Sequence, residues 1–249
     1  IVILAASACE SARILLNSKS ERFPTGLANS SGQVGKNLMD STGASLGAVI
    51  PALKGRPIYN EDGHTSNHLF LPWWGHEAQA NNELDFPRGY HFEVGSGFQA
   101  PGTYYPASLQ GYGAELQQQA KHDYGSAVNL SLRGEMVPNE NCYMEVDETV
   151  KDKWGIPVAK FHWQWSEHEL KQIKHGLETA QAIFREMGAD VSAALPSPED
   201  AIKKGGEIIH EVGVTRMGSS PEDSVCNEWG QTWDCDNLFV MDGGVFASN

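Results

Sequence analysis

Gly206-Glu207-Ile208-Ile209-His210-Glu211-Val212-Gly213-Val214-Thr215-Arg216-Met217-Gly218 sets a histidine ahead of Gly, Arg, Met and Gly at tight spacing. About twenty residues later, Asp236-Asn237-Leu238-Phe239-Val240-Met241-Asp242-Gly243 reads as an apolar strand that runs into a turn. Each segment alone is a weak signal, because most histidines beside Gly-rich loops are structural. The two together mark a strand end and a loop bearing a titratable side chain.

The chain opens on Ile1-Val2-Ile3-Leu4-Ala5-Ala6-Ser7, with no Met and no polar lead-in. That run is typical of a buried parallel strand. The far end, Asn237 to Asn249, predicts a second buried strand and then a turn. Two such termini predict a piece of a longer protein, since natural ends are more often polar and exposed. The alternative is a compact domain whose terminal strands pair with each other. A signal peptide cannot be judged from such a start. Cys9 to Ser18, with Ala12, Leu15 and Leu16 apolar, predicts a short helix packed on a sheet. A Gly- and Ser-rich connection follows from Thr25 to Gly35, and Gly35 to Asp40 looks structured again.

The full chain has 249 residues, a formal net charge of −14, 40% hydrophobic and 20% charged residues. At roughly 150 residues per domain this is one large domain or two small ones. The composition suits a folded globular protein. The acidic balance speaks against nucleic acid, whose phosphates need Lys and Arg. No apolar run approaches the roughly 20 residues of a bilayer span. Cys9, Cys142, Cys226 and Cys235 are too few for a disulfide framework and lack metal-ligand spacing. Cys226 and Cys235 could pair in an oxidising compartment, and their spacing does not decide it.

Residues 41 to 165 read as mainly β, clearest at Val128–Leu132, Cys142–Val146 and Val158–Trp163. A helical island is expected at about Gly113 to Tyr124. Trp73, Trp74, Tyr104, Tyr105, Trp163 and Trp165 cluster in this part, as core more often than as pocket lining. The clearest helix is residues 167 to 187. Ser166 and Glu169 form a capping box, Leu170, Ile173, Leu177, Ala180, Phe184 and Met187 make one stripe, and Gly188 stops it. A shorter helix starts near Ser197-Pro198.

The combination H-x-x-G-x-x-R-M-G, then D-N-L-x-V-x-D-G, resembles the C-terminal portion of the glucose–methanol–choline (GMC) flavin oxidoreductases. Ala6 to Ser18 is similar to that family's second signature, and Gly32-Gln33-Val34-Gly35-Lys36-Asn37-Leu38-Met39-Asp40 to the V-G-x-N-L-x-D/H stretch after it. The nearest flavour is the gluconate dehydrogenase-like sugar and polyol branch. The departures are Ala12 where the signature has Pro, Asn17-Ser18 where it has Ser-Gly, and Val214 where a Thr is usual. The resemblance implies a mixed α+β, α/β fold: part of an FAD-binding Rossmann-like domain plus an antiparallel-sheet substrate domain backed by helices. Residues 1–40 and 206–249 would belong to the FAD domain and 41–205 to the substrate domain.

The same resemblance implies an alcohol oxidation, in which a base takes the hydroxyl proton and the carbinol hydrogen leaves as hydride to flavin N5. His210 matches the catalytic histidine, and an imidazole suits proton abstraction near neutral pH. Asp242 and Gly243 match the turn that approaches FAD, with a plain strand-ending turn as the alternative. The G-x-G-x-x-G unit and a second catalytic His or Asn would lie outside this chain, so the chain alone is expected neither to hold FAD tightly nor to turn over. The partners implied are an alcohol or sugar substrate and a quinone or cytochrome electron acceptor, dehydrogenase rather than oxidase, in the periplasm by analogy. The competing hypothesis is a non-catalytic sugar- or partner-binding module descended from such an enzyme.

The remaining residues point elsewhere. Gly95-Ser96-Gly97-Phe98-Gln99-Ala100 imitates a nucleotide motif, but Pro101-Gly102 follows where a helix should, so it reads as a loop or strand connection. His64 and His68 have i, i+4 spacing with His76 nearby, but no helical stripe supports them and no metal site is expected. His162, His168 and His175 read as solvated. Arg216 is expected to brace its loop rather than to catalyse.

Overall fold

A computed structural model describes residues 1–57, 69–96 and 111–249. The chain divides into two compact units: Ile1–Thr42, Glu135–Glu169 and Lys203–Asn249 form the first, and Gly43–Gly134 with Leu170–Ile202 the second. Residues 135–169 therefore fold with the two terminal segments.

In the first unit, strand β1 (Val2–Leu4) pairs in parallel with strand β8 (Leu238–Val240), Val2 opposite Leu238 and Leu4 opposite Val240. The opening strand differs from expectation in its burial. Val2 and Ile3 are 54% and 65% exposed, while Leu238 and Val240 are buried. Among the described residues this sheet has two strands only, and β1 forms its outer edge. Helix α1 (Ala8–Asn17) follows a sharp turn at Ser7 and buries Ala8, Ser11, Ala12, Leu15 and Leu16, as its apolar spacing predicts. Strands β6 (Tyr143–Lys151) and β7 (Pro157–His162) form an antiparallel hairpin. The core includes Leu15, Leu38, Met39, Met136, Cys142, Met144, Val214, Cys226 and Val240, with Trp163 and Trp165 packed against it.

In the second unit, strands β2 (Thr42–Val49), β3 (Leu69–Leu71), β4 (Tyr90–Ser96) and β5 (Ala127–Gly134) lie in the order β2-β5-β4-β3. The β3–β4 and β4–β5 pairs are antiparallel. Strand β5 alternates: Val128, Leu130 and Leu132 are buried, while Asn129, Ser131 and Arg133 sit on the other face. Two short helices, α2 (His76–Ala80) and α3 (Gly113–Asp123), connect strands. Helix α4 (Glu167–Glu186) supplies Ile173, Leu177, Ala180 and Phe184 to this core. Met187 of the expected stripe lies past the helix end, half-exposed. One arm of the Ser166–Glu169 capping box forms, the Ser166 amide donating to Glu169 Oε2 at 2.8 Å, while the Ser166 hydroxyl accepts the His168 amide at 3.3 Å. Helix α5 (Pro198–Ala201) is capped by Ser197. Trp73 packs on Tyr90 at 4.8 Å and on Phe86 at 6.0 Å, as core. His64, His68, Tyr104, Tyr105 and Gly97 onward fall outside the described residues; Gly95 and Ser96 end β4. Among the described residues no helix is long and apolar enough to cross a membrane.

Candidate active site

The site is built on one buried carboxylate. Asp40 is fully buried, and its two oxygens accept three backbone amides: Ser41 at 2.8 Å, His210 at 2.9 Å and Gly206 at 3.3 Å. One side chain thus fixes both ends of the 206–210 loop and the start of β2. The loop is further tied by paired hydrogen bonds between Met39 and Val212, at 3.0 and 2.9 Å. At Gly213 (φ +92°) a Cβ would lie 2.2 Å from the Asn37 carbonyl, so no other residue fits that crossing. Between these anchors Ile209 is forced to φ +61°, an unfavourable region for a β-branched residue.

This frame leaves His210 exposed on the wall of a cleft of about 390 Å³ within the first unit. Ser7, Ala8 and Cys9 line it, where no side chain among the described residues caps the start of α1. Ile209, Glu211, Val212, Phe161 and Gly243 complete the lining. A helix start leaves backbone N–H groups unpaired and favours electron-rich acceptors. Burial, then the negative charges of Glu211, Glu10, Asp40 and Asp242, pushes the Cys9 thiol up to about 12, which disfavours its thiolate.

The second candidate element is the turn at Asp242. Its carboxylate is engaged inside the protein, accepting the Gly244 amide at 2.9 Å and the Ser11 hydroxyl of α1. Gly244 is packed so closely that a Cβ would sit 2.3 Å from Thr215 Oγ1 and 3.4 Å from Ala8 Cα. That threonine hydroxyl is buried without a hydrogen-bond partner among the described residues. Of the two turn residues singled out in the sequence, Gly243 lines the cleft. Arg216 donates to the Asp223 carbonyl at 2.8 and 3.1 Å, a brace through a carbonyl.

Two residues that the sequence reading did not single out also reach His210. Ser41 Oγ lies 3.4 Å from Nδ1, and Asn249 Nδ2 donates to the His210 carbonyl at 3.4 Å. Asp40 stood in the V-G-x-N-L-x-D stretch, but a motif letter does not reveal that the carboxylate is buried beneath the histidine loop. All four cysteines are free thiols. Among the described residues no group of three or more His, Cys, Asp or Glu is placed to hold a metal. A larger hollow of about 770 Å³ lies on the outer sheet face of the second unit, beside Glu93, Asn129, Ser131 and Arg133. Its polar groups bond one another, as in Asn129 Nδ2 to Ser131 Oγ at 2.8 Å and Arg133 to Glu93 at 3.5 Å. The smaller cleft carries the histidine and is the candidate site.

Residues 138–249 match the family model described as GMC oxidoreductase. They form a GMC oxidoreductase C-terminal domain. Relatives of this GMC chain include the 2-methyl-1,2-propanediol dehydrogenase of Mycolicibacterium austroafricanum, 31% identical over 100% of the chain and 44% of the relative. The fructose dehydrogenase large subunit of Gluconobacter japonicus is 26% identical over 99% of the chain and 43% of that subunit. The chain therefore spans less than half the length of these curated relatives. A solved structure of the formate oxidase of Aspergillus oryzae, concerned with FAD modification, aligns with a TM-score of 0.60 at 14% identity, over 98% of this chain and 49% of that one. The expected mixed fold of helices and antiparallel sheets thus agrees with a GMC structure.

Proposed function

We propose that this GMC chain is the base-bearing part of a longer FAD-dependent oxidoreductase that oxidises a CH–OH group of a sugar or polyol. The observation that carries the reading is His210, held on the cleft wall by Asp40 and facing space shared with the uncapped start of α1. The cleft suits a flavin: its wall offers helix-start N–H groups and a glycine, and the turn behind it keeps an orphaned buried hydroxyl at Thr215. Ser7, Ala8, Cys9 and Gly243 would face the cofactor, with Asp242 shaping the turn from inside. When bound, FAD supplies a hydride acceptor.

His210 takes the proton of the substrate hydroxyl on a ring nitrogen, which raises electron density on the carbinol carbon as its hydrogen departs. Val212 and Phe161 give the cleft its apolar surface. The likeness to two relatives named dehydrogenases supports a dehydrogenase; a quinone or cytochrome acceptor is the further part of the proposal. On this reading the dinucleotide-binding unit and a second catalytic His or Asn come from outside these residues. The 249-residue chain by itself is then expected to bind no stoichiometric flavin and to show no turnover.

The test is anaerobic flavin reduction in the full-length protein, with a panel of sugars and short polyols, comparing wild type with His210→Asn. Positioned proton transfer contributes about 10²–10⁴-fold, and the variant should lose that factor in the reduction rate while keeping its flavin. Reduction at the wild-type rate would remove His210 from the mechanism, and no reduction by any CH–OH donor would overturn the activity.

A further inference from the structure

We infer that Ser41 and Asn249 are positioning residues that fix the tautomer of His210, with the proton on Nδ1 and the free lone pair on Nε2. The inference rests on the reading of His210 as the base. It starts from a directed ring of three hydrogen bonds. Asn249 Nδ2 meets the His210 carbonyl at 3.4 Å, Ser41 Oγ meets Asn249 Oδ1 at 3.2 Å, and Ser41 Oγ meets His210 Nδ1 at 3.4 Å.

The directions follow from what each group can do. A backbone carbonyl only accepts, so the amide nitrogen of Asn249 must point at His210 and its oxygen at Ser41. That oxygen also only accepts, so the single hydroxyl proton of Ser41 goes to it. Ser41 is left with lone pairs toward His210, and the ring nitrogen facing it must carry the hydrogen. Nε2 is then the unprotonated nitrogen, as a base requires. Ser41 cannot swing away to relax this, because it is only 9% exposed and its amide is held at 2.8 Å by the same Asp40 that holds the His210 amide. Ring and hydroxyl are thus placed from one buried anchor. The bonds are at the long end of the hydrogen-bond range, as is common for catalytic groups without substrate.

The experiment is side-chain nitrogen NMR of ¹⁵N-histidine-labelled full-length protein at pH 8, with the His210 signals assigned by their loss in His210→Asn. Wild type should show a protonated Nδ1 and an unprotonated Nε2. Ser41→Ala should invert that pattern, and Ser41→Thr, which keeps the hydroxyl, should restore it. Asn249→Ala removes the acceptor of the Ser41 hydroxyl, at the last residue of this chain, and should give a mixture, so the inference stays testable if Ser41→Ala folds poorly. In turnover, Ser41→Ala should lower kcat roughly tenfold or more, part of the factor that proton transfer contributes, with KM little changed and Ser41→Thr rescuing it. A wild-type Nε2–H tautomer, or a Ser41→Ala protein that keeps Nδ1–H, overturns the inference. The NMR outcome does not depend on catalysis, and full activity in His210→Asn would sink the base reading while leaving the tautomer result standing.

Discussion

At the scale of single residues, the histidine loop is a strained segment held by a buried acid. Ile209 sits at φ +61° and is 74% exposed, so its side chain gains little from packing. Such backbone strain costs about 1–3 kcal/mol and collects at functional sites. Ile209→Gly removes the strain at a chain-entropy cost of about 0.5–1 kcal/mol, and a net gain near 1 kcal/mol is expected in chemical denaturation. Turnover should fall in the same variant, because the residue before His210 becomes free to move; a variant both less stable and fully active would contradict this account. Asp40→Ala acts in the opposite direction. It orphans the Ser41, His210 and Gly206 amides, at about 1–3 kcal/mol for a buried donor, and Asp40→Asn should recover part of that because one oxygen remains to accept.

At the scale of elements, α4 shows how periodicity becomes stability. Its buried stripe delivers Phe184, wholly inaccessible, and Ile173 to the core of the second unit. Phe184→Ala should cost about 3–5 kcal/mol, read as loss of amide-exchange protection along α4. The cap is worth less. Ser166→Ala removes the hydroxyl that accepts the His168 amide at 3.3 Å and donates to the Glu169 carboxylate, and should cost about 1 kcal/mol. Glu169 does more than cap, since its other oxygen accepts the Val137 amide at 3.0 Å. Glu169→Ala should therefore cost more than Ser166→Ala, an order that thermal denaturation of the two variants checks.

At the scale of the whole molecule, the shifted groups bound stability in pH from both sides. Burial pushes His175 below its usual 6.5, and Asp123, held by His122 and Lys54, lies below the usual 3.8. Groups lowered by folding bind fewer protons in the native state, so their contribution is present above the unfolded value and is lost as pH falls. The acid limb should begin near pH 6.5 with His175 and steepen below 4. Burial raises Cys226 and Tyr90 to about 12, from 9.0 and 10.0. Groups raised by folding lose their contribution as pH climbs through that interval, so an alkaline limb should begin near pH 9. The thermal midpoint should thus be highest between about 6.5 and 9. In His175→Gln the decline between pH 6.5 and 5 should be shallower than in wild type, and an unchanged decline would remove His175 as its source.

The sequence by itself determined the local elements and the family. The α4 stripe, the alternation on β5, the helix after the first strand and the H-x-x-G-x-x-R-M-G segment are all patterns of neighbouring residues, and neighbours set helix and strand periods directly. Tertiary structure alone decided which distant residues share a site. Whether Asp242 points to the cleft or into the turn depends on Ser11 and Gly244 meeting its two oxygens. That Asp40, Ser41 and Asn249 gather around His210 depends on bringing the segment at 40–41, residue 249 and the loop near 210 together. The exposure of β1 likewise follows from what covers it, and an apolar run carries no record of that. Hydrogen-bond direction and burial are properties of three-dimensional neighbours, and a linear pattern does not encode them.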